Sequence, residues 1–92
     1  MTTTLSVTSY NMHNQELRSG EIIFNHSEQT MTSPSGKVYK VITDYDFTFK
    51  INRKSKVIKA VRGVDGLIDF LTHINNHKSA FNPYCTDKFI NL

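Results

Sequence analysis

His73 and His77 stand four residues apart, a spacing that puts two imidazoles on one face of a helix, and Cys85 follows eight residues after His77. Zinc uses such donors, but a structural zinc site takes four ligands and usually paired cysteines. Two histidines near a helix end and a packed thiol account for the same residues, so no metal is expected. Cys85 with a histidine also raises nucleophilic catalysis. That chemistry needs a base, an orienting group and an oxyanion hole, and none has a signature here. Asp44 and Asp46 lie two apart among lysines, as solvated or salt-bridged charges rather than an acid/base pair. Ser33-Pro34-Ser35-Gly36-Lys37 lacks the first glycine and the full spacing of a phosphate-binding loop. Neither an enzyme nor a cofactor is expected.

A different chemistry is concentrated between residues 37 and 62. That stretch holds Lys37, Lys40, Lys50, Arg53, Lys54, Lys56, Lys59 and Arg62, eight of the eleven basic residues, against Asp44 and Asp46 alone. It is net +6, whereas the rest of the chain is net −3. Cations gathered in this way attract phosphate or an acidic protein face, and phosphate contacts release counterions, so affinity falls with salt. Lys50, Arg53, Lys54, Lys56 and Lys59 are the primary candidates for a charged contact, with Arg62 and Lys40 next. Tyr39 is the candidate for stacking on an unpaired base, a role that Tyr45 or another exposed tyrosine also suits. Small domains often carry lysine on exposed sheet faces, so the charge implies such a partner without naming one.

The elements that position these groups follow from periodicity. Residues 4–10 alternate small apolar and hydroxyl side chains, the pattern of an edge strand, and residues 21–25 read as a second strand. Residues 11–20 and 26–36 read as loops, the latter punctuated by Ser33-Pro34-Ser35-Gly36. Tyr45, Phe47, Phe49 and Ile51 take every second position and predict a strand over 45–51. Asn52-Arg53-Lys54-Ser55 predicts a turn and 56–61 a return strand. A tight turn about Arg53 and Lys54 pairs Ile51 with Lys56, Phe49 with Ile58, Thr48 with Lys59 and Phe47 with Ala60. That register puts the rings and Ile58 in the core, and Lys50 and Lys59 outside, one diagonal step apart.

Val64, Leu67, Ile68, Leu71 and Ile74 recur at helical spacing and predict a helix over 64–76, with Asp65 as its N-terminal cap. Asn75-Asn76 suits a left-handed stop, and His73, His77 and Lys78 lie where the helix dipole favours positive charge. Asn82-Pro83 predicts a turn, after which Phe89, Ile90 and Leu92 fold back onto the core. The expected fold is α+β: a mostly antiparallel sheet of four to five strands with one C-terminal helix packed on a face.

Ninety-two residues make one domain, 1–92. No apolar run reaches the length of a membrane span, and the first residues lack the basic start and apolar stretch of a secretory signal. A lone cysteine forms no internal disulfide, which points to a reducing cytoplasm.

The run Met1-Thr2-Thr3-Thr4-Leu5-Ser6-Val7-Thr8-Ser9-Tyr10-Asn11-Met12-His13-Asn14 and the overall length resemble small phage-encoded anti-CRISPR proteins directed against the type I-F system. The likeness runs along the whole chain and carries no motif, so no site residue is transferred through it. It implies a stoichiometric inhibitor that binds the RNA-guided surveillance complex in the host bacterial cytoplasm and stops target DNA from pairing. Many such inhibitors are acidic and imitate DNA. This chain is basic, which fits contact with guide RNA or an acidic subunit surface. The residues alone leave other readings open: a stand-alone phage nucleic-acid-binding or regulatory protein, or a phage structural protein. No helix-turn-helix pattern favours a repressor.

Overall fold

The computed structural model describes residues 1–46, 48–77 and 82–92, with the side chains of 82–85 outside the description. The fold is mixed α+β. A six-stranded sheet has the order β1-β2-β3-β4-β6-β5, built from β1 (Thr2–Tyr10), β2 (Glu16–Asn25), β3 (Thr30–Thr32), β4 (Val38–Thr43), β5 (Lys50–Asn52) and β6 (Val57–Ala60). All neighbours are antiparallel except β4 and β6, which run parallel. Two helices follow, α1 (Gly63–Asn76) and α2 (Asn82–Ile90), so the expectation of a single helix is corrected.

One face of the sheet carries the core. Val7, Ile22, Phe24, Met31, Tyr39, Val41, Ile58 and Ala60 point inward, and Val64, Leu67, Leu71 and Ile74 of α1 meet them, as the apolar stripe predicts. Phe89, Ile90 and Leu92 are buried, so the C-terminal tail folds back as expected. It does so as a helix, because Asn82 and Pro83 open α2 rather than forming an isolated turn; proline suits a helix's first turn, where its missing N–H costs nothing. The opposite face of the sheet has no buried strand side chain and no helix packed on it among the described residues.

The β1 strand lies at an edge, as its alternation predicts. Two of its outward backbone groups are taken by one side chain: Asn75 Oδ1 accepts from the Thr8 amide at 3.0 Å, and Asn75 Nδ2 donates to the Ser6 carbonyl at 3.1 Å. An edge strand with open amides invites pairing with another chain, and this clamp blunts that tendency. Asn75 therefore holds β1 instead of making the expected left-handed stop; α1 ends at His77, whose backbone is extended. Lys78 lies outside the described residues. Asn75→Ala is expected to lower stability by about 1–2 kcal/mol, since two backbone partners return to water alone. A urea midpoint shifted at constant slope checks it.

Two further strand readings are corrected. Residues 16–20 are exposed, or nearly so, and hold Leu17 as their one large apolar residue, so they show no apolar alternation; cross-strand pairing with β1 makes them part of β2 rather than a loop. The turn between the strands is set by Asn11, whose Oδ1 accepts from the His13 and Gln15 amides. Within the expected loop 26–36, Thr30–Thr32 forms β3 with Met31 as its one buried residue. A three-residue strand is too short for its period to be visible.

Candidate nucleic-acid interface

The alternation of Tyr45, Phe47, Phe49 and Ile51 predicts a seven-residue strand, but among the described residues only Lys50–Asn52 forms one. The reason is Asp44. Its carboxylate accepts from the Asp46 amide at 3.0 Å and from the Thr48 hydroxyl at 3.2 Å. An aspartate that satisfies nearby donors in this way offers the backbone a turn instead of a ladder. Tyr45 is consequently 88% exposed rather than buried. Phe49 is half-buried against Phe70 and Phe89, with ring centroids 4.9 and 5.1 Å away. Phe47 lies outside the described residues.

The hairpin turn is longer than the sequence suggests. Asn52 Oδ1 accepts from both the Lys54 and Ser55 amides at 3.1 Å, and Lys56 adopts φ 55°. Residues 53–56 therefore form a four-residue loop, and Ile51 pairs with Ile58 instead of Lys56. The slip is two residues, an even number, so Lys50, Ile51, Ile58 and Lys59 keep their expected faces. Lys50 and Lys59 remain outward but stand directly opposite each other rather than on a diagonal.

After this loop β6 inserts between β4 and β5, parallel to β4, with Lys40 beside Val57 and Ile42 beside Lys59. The outward positions of the three strands are thus Val38, Lys40 and Ile42, then Val57 and Lys59, then Lys50 and Asn52. No carboxylate and no aromatic ring stands among them. A shallow groove of about 440 Å³ runs here, floored by Ile42 and Val57 and flanked by Lys50 and Lys59.

Lys40, Arg53, Lys54 and Lys56 are exposed at the loop end of this face, where the Lys40 amide donates to the Lys56 carbonyl. Because β4 and β6 are parallel, their starts lie at one end of the sheet. That places Lys37, which precedes β4, beside the 53–56 loop. The sequence shows Lys37 as part of the charge cluster but does not show that the strands would gather it here. Lys50 has an ion pair with Asp46 at 3.8 Å, both groups largely exposed. Among the described residues, the other cations of the patch have no carboxylate partner.

Two candidates fall elsewhere. Tyr39 is 2% exposed and packs in the core beside Met31, so its stacking role is withdrawn. The physical reason is parity: Tyr39 and Lys40 are neighbours on one strand, and an outward Lys40 forces Tyr39 inward. Arg62 sits past the far end of β6, opposite the loop, where it caps α1 in a left-handed conformation with φ 57°. Asp65, the expected cap, instead pairs with His26 at 3.3 Å. Among the described residues no three His, Cys, Asp or Glu side chains gather as metal ligands, and no helix is long and apolar enough to cross a membrane. Compared with protein-family models, curated proteins and solved structures, the chain matches none.

Proposed function

We propose that the chain is an inhibitor of the type I-F CRISPR surveillance complex, which it binds in the host bacterial cytoplasm through the outward face of β4, β5 and β6. The lysines seat on guide RNA phosphates or on an acidic subunit surface, and the bound domain blocks target DNA hybridisation. No catalytic step is involved.

The observation that supports this most is the direct opposition of Lys50 and Lys59 on a face whose outward strand positions carry no carboxylate. Like charges across a ladder destabilise a sheet, and of these two lysines Lys50 alone has a counterion among the described residues, Asp46. A bound anion between them removes that repulsion, so the arrangement suits a partner better than the free domain. The absence of rings from the outward strand positions supports backbone contact over stacking of bases on a sheet surface, and leaves the Arg53 guanidinium at the loop end as the stacking plane among the patch's cations. An RNA-guided complex holds its guide by the backbone and leaves the bases for pairing, so a phosphate-directed patch can occupy that surface without reading sequence. The resemblance of the first fourteen residues and the chain length to anti-CRISPR proteins names the complex.

The test is a mobility-shift assay with purified type I-F complex and labelled target duplex. Preincubation with a few equivalents of the chain is expected to abolish the DNA-bound band, and a tenfold excess of naked guide RNA is expected not to restore it. Undiminished DNA binding at saturating protein excludes inhibition. Full restoration by naked RNA favours the stand-alone nucleic-acid-binding reading.

A further inference from the structure

On the helical side of the same strands lies a second concavity, of about 610 Å³, within the range of ligand pockets. Ala60, Leu67, Phe49 and Phe70 give it apolar walls, and Arg62 and Lys88 stand at its rim. Lys88 Nζ lies 5.7 Å from the centroid of the Phe49 ring, which holds the ammonium over the apolar surface. Asp69 also lines the cleft. With two cations against this one carboxylate the rim is net positive.

We propose that this cleft receives an apolar anchor residue, with a carboxylate beside it, from an acidic segment of a partner protein. The apolar walls take the anchor, and Lys88 and Arg62 take the carboxylate. A nucleobase fits less well. The Phe49 and Phe70 rings pack on each other at 4.9 Å with planes tilted by 53°, so they leave no parallel slot between them. An anchor filling a desolvated pocket beneath a charged rim is how protein interfaces concentrate their affinity. The site is separate from the lysine face and stands whether or not the partner is a surveillance complex.

The test is a ¹⁵N–¹H correlation titration of the intact chain with N-acetyl-Asp-Phe-amide. Saturable shifts are expected at the amides of Val61, Arg62, Gly66 and Phe70. Replacing the aspartate of the probe by lysine, or Lys88→Glu in the protein, should each weaken binding about fivefold, the worth of one exposed ion pair. The spectrum of the variant reports directly that it is folded, as expected for an exposed site, and the two-probe comparison on the unaltered protein stands by itself. Shifts absent at these amides, equal affinity for both probes, or tighter saturation by adenosine monophosphate would each overturn the proposal. None of these outcomes bears on inhibition of the complex.

Discussion

Reversing Arg53, Lys54 and Lys59 together to glutamate is expected to weaken binding to the assembled complex about a hundredfold while leaving the domain folded. Three exposed contacts at about 1 kcal/mol each amount to about 3 kcal/mol, and each tenfold in affinity is about 1.4 kcal/mol. Reversal adds repulsion, so a hundredfold is a lower figure. The stability prediction has a definite sign. None of the three side chains has a carboxylate partner among the described residues, so their loss costs little. Lys59→Glu moreover places a carboxylate opposite Lys50, which turns a repulsive cross-strand pair into an attractive one. The melting temperature should therefore stay level or rise as binding disappears. Titration calorimetry and a thermal melt on one preparation read both. Unchanged affinity at low salt removes this face from the account.

The second large effect is on the fold. Gly66→Ala is expected to destabilise the domain by at least about 3 kcal/mol, the upper part of the range for overpacking. A Cβ at this position would overlap the Val61 carbonyl oxygen and lie 2.5 Å from its carbon. Both are backbone atoms, so no side-chain rotation relieves the clash. The crowding comes from the way β6 enters α1: Arg62 and Gly63 both take positive φ, 57° and 63°, and fold the chain back over the first helical turn. Gly36→Ala is the matched control, since its φ is 91° but nothing lies within 4 Å of the added carbon. It should cost only the backbone strain, on the order of 1 kcal/mol. For a domain of this size about 3 kcal/mol corresponds to roughly 12–24 °C in melting temperature, readily resolved by circular dichroism.

How much of this was legible beforehand depends on the range over which each feature is determined. The α1 stripe and the inward Phe89, Ile90 and Leu92 are written in single apolar spacings, and the structure has both. The outward orientation of Lys50 and Lys59 was legible because faces depend only on parity, which survives an even slip of register. The loop length was not, because it depends on one side chain: Asn52 bonding two amides rather than one tight turn closing at Arg53 and Lys54. Asp44 hides in the same way inside a perfect alternation and breaks it by local hydrogen bonds. The parallel pairing of β4 with β6 is non-local, and nothing in either segment announces it. That pairing brings Lys40 and Lys37 to the loop end, and parity within β4 turns Tyr39 inward. Lys88, on a helix that the residues read as a turn and tail, was invisible as a neighbour of Phe49.

Amide hydrogen exchange of the chain alone and bound to the purified complex tests the central claim most directly, because it locates the contact without mutation. Protection is predicted to concentrate in residues 50–59 and around Lys40, with the 11–15 turn at the far hairpin unchanged. Protection confined to the β1–β2 hairpin, with 50–59 exchanging as in the free protein, would contradict the account.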